Sequence, residues 1–285
     1  MSGKYDFSAF EKLPDLNNTK NNKNLGYPNM TIFSGSTGSG KTFLLFKCLL
    51  SKNFFDYDEL YILTSTSNSI QYKFLKYCFQ YNINKEIIWE LFQFINKYDI
   101  KILDKIIRTF ADTIEPEDRK NFTKLVISDK VDQFPVLEEF EVEKKKLIIG
   151  DDIINNVSYN ILIENYFTRG RHFNVSCIYL TQNYTLVPIT IRRNLSNLFL
   201  FKTGKTNLSY IYKEVAQSII DDKEEFYLKC NRTWRDKYTY IFLNRVDGII
   251  TDDVFTSPNK KKEILENEKD WKILIKNELC NQVKK

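Results

Sequence analysis

Short continuous apolar runs alternate with helically spaced apolar residues along most of the chain. Met30 to Ser34 is a compact apolar run that predicts a buried strand. Leu44, Leu45, Cys48 and Leu49 follow at helical spacing within 41–52. Leu60 to Thr64 predicts a second strand, after the turn-like Asp56-Tyr57-Asp58. Ile83, Ile87, Leu91, Ile95, Leu103, Ile106 and Phe110 then repeat every three or four positions where they cluster, which predicts one or two amphipathic helices. Pro116-Glu117-Asp118 reads as the start of another helix, running to about Asp129. Leu147 to Ile149 is an apolar run ending in Gly150-Asp151-Asp152. A helix is predicted over Val157 to Thr168, closed by Gly170. Val175 to Leu180 predicts a strand ending in Thr181-Gln182. Pro188 opens a short helix through Asn194. Leu198 to Phe201 predicts a strand, 207–229 a helix, and Tyr238 to Leu243 a strand in an edge hairpin with 226–234.

Strands alternating with helices predict an α/β fold, a mainly parallel sheet covered on both faces. The division expected is a polar, flexible arm over 1–28, one domain over 29–256 with a mostly helical insertion at about 84–145, and a charged, helical tail over 257–285. No run of about 18 apolar residues predicts a transmembrane helix, and the polar N-terminus lacks the apolar core of a signal peptide.

Composition changes this picture little. Hydrophobic residues are 42% of the 285 and charged residues 28%, the balance of a globular chain with a sizeable core. A net charge of +5 allows a polyanionic partner without requiring one. The five cysteines form no CxxC pair and His172 is the sole histidine, so a zinc site is not expected.

The strongest chemistry lies between the first strand and the first helix. Gly35-Ser36-Thr37-Gly38-Ser39-Gly40-Lys41-Thr42 matches GxxxxGK[ST] at every position. Glycines let successive backbone N–H groups turn inward around β- and γ-phosphates, and the following helix adds its positive end. Lys41 is expected to meet the γ-phosphate and the Thr42 hydroxyl a Mg²⁺ ion. Gly204-Lys205-Thr206 repeats the ending, but Phe199 stands where the first glycine is needed, and a polar turn is expected there.

Hydrolysis needs more than a phosphate loop. Asp151, at the tip of an apolar strand, has the position of a Walker B aspartate and is expected near Mg²⁺. Asp152 beside it is expected to polarise the attacking water, with a helix N-cap as the alternative. An acidic residue after the Walker B aspartate points to ATPases with an additional strand between the phosphate-loop strand and the Walker B strand. Gln182 ends that strand and is expected to sense the γ-phosphate or the water. Arg169 and Arg171 should lie at the opposite sheet edge, reaching a neighbour's nucleotide as an arginine finger or serving salt bridges or DNA phosphates. Arg192 and Arg193 lie in the next loop and helix.

Three blocks then carry a family resemblance. Phe167-Thr168-Arg169-Gly170-Arg171-His172-Phe173-Asn174-Val175-Ser176, Leu180-Thr181-Gln182-Asn183, and Pro188 through Ile191-Arg192-Arg193-Asn194 closely resemble the poxvirus-type DNA-packaging ATPases of large double-stranded DNA viruses and virophages, within the FtsK/HerA group. The resemblance covers roughly 28–245. It implies a P-loop NTPase of RecA-like, additional-strand topology that hydrolyses ATP with Mg²⁺, forms a homo-oligomeric ring, and moves double-stranded DNA into a preformed capsid without reading sequence. Capsid or portal-vertex proteins are the implied partners, without a membrane. The implied place is the host-cell cytoplasm at viral assembly sites, with association to the virion allowed. By matched position Lys41 and Thr42 belong to Walker A, Asp151 and Asp152 to Walker B, and Gln182 to the sensor.

A related motor of the same group not tied to a capsid shares the whole catalytic core and remains open. Asn96-Lys97-Tyr98-Asp99 matches the guanine-reading NKxD pattern, but it precedes the Walker B strand and reads as accidental. A nucleotide kinase would need an arginine-rich lid longer than Thr168-Arg169-Gly170-Arg171. A scaffold that only binds nucleotide is disfavoured by intact Lys41, Thr42, Asp151 and Asp152.

Overall fold

The computed structural model describes residues 25, 27–50, 54–80, 105, 108 and 124–252. Its strands are β1 (Met30–Ser34), β2 (Glu59–Thr64), β3 (Lys124–Ser128), β4 (Lys146–Asp151), β5 (Val175–Thr181), β6 (Asn197–Phe201), β7 (Tyr240–Asn244) and β8 (Ile249–Thr251). Its helices are α1 (Lys41–Leu50), α2 (Ile70–Gln80), α3 (Val157–Arg169), α4 (Ile189–Arg193), α5 (Lys205–Glu214) and α6 (Lys223–Thr233). The strands form one sheet in the order β3-β2-β4-β5-β1-β6-β7-β8. The first six are parallel, and β7 and β8 run antiparallel to their neighbours. β5 therefore separates β1 from β4, which is the additional-strand arrangement expected from the acidic pair.

The central strands are buried except at Asp151, which ends β4, so they read as unbroken apolar runs instead of alternating ones. Alternate side chains still divide between two faces. Ile32, Tyr61, Ile148, Tyr179, Leu198 and Ile241 join a core with residues of α3, α4, α5 and α6. Phe33 stacks on Phe199 at 4.4 Å between ring centroids, and Phe199 meets Phe242 at 4.9 Å, in a second apolar row.

Two compact units are present: Met1–Ser67 with Phe122–Thr256, and Asn68–Asn121 with Ser257–Lys285. The sheet and α1 belong to the first. In the second, α2 buries Tyr72, Phe74 and Leu75. The expected insertion at 84–145 is described chiefly from Lys124 onward. From Lys124 that segment is β3 followed by single 3₁₀ turns at Val131–Gln133 and Leu137–Glu139. The helix expected to reach Asp129 thus gives way to a strand, because Leu125, Val126 and Ile127 pair edge-on with β2. Most of 84–123, residues 96–99, the arm before Leu25 and the tail from 253 lie outside the described residues. Among the described residues no helix is long and apolar enough to cross a membrane.

Other expectations shift locally. Gly170 closes α3 as its C-cap, in right-handed backbone that continues into a 3₁₀ turn. Asn174 takes the left-handed position, at φ 54°. Gly170 packs closely on the start of β5, where a Cβ would lie a tight 3.1 Å from the Val175 Cβ. The helix expected over 207–229 is two helices, because Asp222 caps α6 by accepting from the Glu224 and Glu225 amides. β7 pairs with β6 and β8 and not with 226–234, which lies mainly in α6. Gly204 is the N-cap of α5 instead of part of a polar turn.

Candidate functional site

All parallel strands end at one sheet edge, and the loop Gly35–Thr42 sits there between β1 and α1. α1 begins at Lys41, which aims the helix N-terminus into the loop. Gly38 and Gly40 have φ of 73° and 99°, backbone that a side chain would strain. Gly35 serves a close approach: a Cβ there would lie 2.5 Å from the Phe201 Cβ on β6. Both flanking strands hold the loop. The Gly35 amide donates to the Thr181 carbonyl at 3.2 Å, and the Ser36 amide and hydroxyl both donate to the Lys202 carbonyl at 3.2 Å.

Lys41 is buried, and its ammonium donates to the carbonyls of Gly35 at 2.6 Å and Ser36 at 2.9 Å. Burial lowers its pKa to about 8, opposed by the charges of Asp151 and Asp152. The lysine and the acidic pair therefore share one electrostatic environment. The Ser39 hydroxyl is buried without a hydrogen-bond partner.

Asp151 ends β4, in register with Thr64 on β2 and Leu180 on β5. Asp152 follows in left-handed backbone at φ 54° and is exposed. Such a conformation is uncommon outside glycine and collects at functional turns. Three contacts support it. Ser65 Oγ donates to the Asp152 carbonyl at 3.3 Å. Ile153 folds back over Gly150, where a Cβ would sit 2.6 Å from its Cδ1. Asn160 on α3 bridges the turn and β5, donating to the Ile154 carbonyl at 3.0 Å and accepting from the Tyr179 hydroxyl at 2.8 Å. The N-cap of α3 is Asn156, so Asp152 is not the capping residue.

Gln182 follows β5 and is exposed. Its Oε1 accepts from the Thr37 hydroxyl at 2.7 Å, so the phosphate loop and the candidate sensor touch. The loop beyond it is held by Asn183, whose Oδ1 accepts from the Thr185 amide and hydroxyl.

The arginines lie elsewhere. Arg169 and Arg171 precede β5, whereas Gln182 follows it, and seven strand residues of about 3.3 Å each separate them. Arg169 pairs with Glu138, and Arg171 donates to Ser196 Oγ at 2.8 Å. Neither reaches the phosphate loop of its own chain. Arg192 is internal to the fold: it pairs with Glu214, donates to the Val187 carbonyl at 2.9 Å, and lies over the Tyr184 ring at 5.5 Å. The Thr37–Gln182 contact and the Ser65 hydroxyl on the acidic turn are the features that reading the chain in order misses. Neither has a local signal, since each joins segments far apart in sequence.

Among the described residues no group of three or more His, Cys, Asp or Glu side chains could hold a metal. Thr42 and Asp151 offer hard oxygen donors of the kind Mg²⁺ accepts together with phosphate oxygens. The unpartnered Ser39 hydroxyl and the glycine-built loop fit a bound phosphate chain. A separate surface cavity of about 710 Å³ beside α6, lined by Arg232, Asp236, Tyr240 and Asp252 among others, contains none of these residues.

Solved structures that match this chain include the genome packaging NTPase B204 of Sulfolobus turreted icosahedral virus 2, in complex with AMP. It is 14% identical, with 82% of this chain and 100% of that chain covered and a TM-score of 0.47. The DNA-packaging ATPase B204 of Sulfolobus Turreted Icosahedral Virus is 12% identical over 79% and 96%, with a TM-score of 0.45. VirB4 of Thermoanaerobacter pseudethanolicus is 10% identical over 82% and 90%, with a TM-score of 0.46. Among curated proteins none matches the chain. The Poxvirus A32 protein family matches residues 18–284, nearly the whole length, and the chain belongs to that family.

Proposed function

We propose that this ATPase of the Poxvirus A32 family uses ATP and Mg²⁺ to move viral double-stranded DNA into a preformed capsid, working as a ring of identical subunits. The observation that carries the reading is the meeting of Gly35–Thr42, Asp151–Asp152 and Gln182 at one sheet edge, with Lys41 in the field of both aspartates. The domain over 29–256 supplies this core, with the arm before it and the tail after it as appendages.

The loop amides bind the phosphate chain. Lys41 leaves the Gly35 and Ser36 carbonyls for the γ-phosphate and neutralises charge that grows in the transition state. Thr42 and Asp151 would hold Mg²⁺, which neutralises phosphate oxygens when bound. Asp152 accepts a hydrogen bond from the attacking water and orients it. Gln182 donates from its amide to the γ-phosphate or that water. Arg169 or Arg171 enters a neighbouring subunit's site, because ~20 Å of strand separates them from their own. DNA is gripped through its phosphates, since a packaging motor must ignore sequence. The capsid contact is made by capsid or portal-vertex proteins at the site of virus assembly.

The test is ATP turnover with and without duplex DNA, measured alongside particle size. Expected are Mg²⁺-dependent hydrolysis, stimulation by duplexes of unrelated sequence, and an assembled particle. A monomer whose turnover ignores DNA would overturn the reading.

A further inference from the structure

Thr37 does something that the phosphate-loop pattern does not require. The pattern needs backbone N–H groups at this position and leaves the side chain open. Here the hydroxyl donates to Gln182 Oε1 at 2.7 Å, across 145 residues of sequence.

Both partners stand on fixed supports. β1 and β5 are adjacent, with Ser34 in register with Thr181. The Gly35 amide is tied to the Thr181 carbonyl, and the Ser36 amide to the Lys202 carbonyl. The Thr181 hydroxyl accepts from the Asn183 amide at 3.0 Å and donates to the Asn183 carbonyl at 2.9 Å. These bonds fix the backbone on either side of Gln182 while its own side chain stays exposed.

The chemistry of the amide gives this contact a consequence. A primary amide has an acceptor oxygen on one side and two N–H donors on the other. A phosphate oxygen only accepts, so Gln182 can meet it only through Nε2. An amide free to turn would present its oxygen to the phosphate part of the time, and that pairing repels. A hydroxyl can also accept, but here the Thr37 hydroxyl donates to Oε1, and that arrangement leaves Nε2 for the phosphate side.

We propose that Thr37 is a positioning residue: its hydroxyl fixes the amide of Gln182 so that the nitrogen faces the γ-phosphate of ATP. The inference rests on the reading of Gln182 as sensor, and the two can fail separately.

The experiment compares ATP turnover and ATP affinity of the full chain with Thr37→Val, Thr37→Ser, Gln182→Ala, Gln182→Glu and the Thr37→Val/Gln182→Ala pair. Valine keeps the shape of threonine without the hydroxyl. The expected result is about a tenfold fall in kcat for Thr37→Val, the size of one hydrogen bond misplaced in the transition state. ATP affinity and melting temperature should stay at wild-type values, and Thr37→Ser should restore turnover. The double variant should be no slower than Gln182→Ala alone, because an absent amide needs no orientation. Gln182→Glu, which accepts from Thr37 but has no donor, should be slow. Wild-type kcat in Thr37→Val beside a slow Gln182→Ala overturns the positioning role alone. So do losses that multiply in the double variant, or weaker ATP binding at unchanged kcat. Wild-type turnover in Gln182→Ala overturns the sensor reading and this inference with it.

Discussion

The two edges of the sheet treat their polar groups differently. At the edge where the parallel strands begin, Lys146, Glu59, Arg169 and Arg171 are partnered within the chain, although Asn197 Oδ1 there is buried without a partner. Lys146 is fully buried, its ammonium donating to the carbonyls of Glu141 and Phe173 and lying over the Phe140 ring. Tyr61 donates to Glu59 at 2.8 Å, Arg169 pairs with Glu138, and Arg171 reaches Ser196. At the edge where the strands end, the arrangement is poised for something else. Asp152 and Gln182 are exposed, Asp152 holds a left-handed backbone, and the Ser39 hydroxyl is buried without a partner. One edge stabilises the fold, and the other keeps its groups ready for a ligand. The difference also bears on the arginines. The Arg169–Glu138 ion pair is exposed and screened by solvent, so releasing it for the proposed neighbouring subunit costs little.

The largest effect should come from Lys41→Ala. It removes the cation between the loop and the aspartates, and turnover should fall by at least about a thousandfold. Steady-state hydrolysis with Mg²⁺ measures this. Retained turnover would break the contrast between the edges at its centre. Asp152→Asn comes next. It should keep ATP binding while slowing hydrolysis by about 10²–10⁴, the usual share of a general base. Nucleotide titration and turnover on the same sample separate the two. Equal loss of binding and turnover would make Asp152 a phosphate-site residue and not a base.

The third prediction carries the arginine edge into the chemistry. In the proposed ring, mixing Arg171→Ala with Lys41→Ala subunits should recover part of the activity that each lacks alone. An interface with an intact loop on one side and an intact arginine on the other can still form. Intact rings with no recovery would leave Arg171 as a purely structural partner of Ser196.

Legibility in the sequence follows distance along the chain. Gly35 to Thr42 is contiguous, and its strand and helix lie directly beside it. Asp151 is visible because an apolar run stops there, and Gln182 because another does. The additional-strand order follows from those two. Three kinds of feature were not fully legible. The edge strand β3 is a five-residue segment whose period cannot be told from helix, and pairing with β2 decides it. Turn geometry is legible only in part: Gly170 closes α3, but in right-handed backbone, and Asn174 takes the left-handed position. Contacts such as Thr37 with Gln182 exist only once β1 and β5 are neighbours.

A fourth, smaller effect tests the scaffold between the edges. Arg192 on α4 and Glu214 on α5 clamp the segment after Gln182, and Tyr184 donates to the same carboxylate at 3.1 Å. The Arg192 side chain is 12% exposed and that of Glu214 is 33% exposed. Arg192→Leu should cost about 1–3 kcal/mol by leaving Glu214 without its charged partner, with only the Tyr184 hydroxyl remaining. At about 2–4 °C per kcal/mol the loss is visible in a melting curve. ATP affinity should hold, because the contacts of Arg192 with Glu214, Val187 and Tyr184 include no residue of Gly35–Thr42. A variant that melts normally but loses turnover would move Arg192 from scaffold to chemistry.

The smallest effect is a protection. Cys48 lies in α1, behind the phosphate loop, and Cys177 near the start of β5, on the arginine side. Both are fully buried, and burial pushes both thiols well above the usual range. The unfolded chain therefore ionises first. Their contribution to stability is complete below about pH 8.5 and falls as pH rises past it. At pH 8 neither should react with a thiol reagent unless the protein opens locally, since the thiolate is the reactive form. If the strand-start edge is the internally tied one, Cys177 should label only at the rate of global unfolding. Cys48 should label faster without nucleotide and slow to the Cys177 rate with ATP, as the ligand ties the loop to α1. Peptide mapping after timed alkylation reads both sites in one sample. Faster labelling at Cys177 than at Cys48 would reverse the assignment of the stable edge.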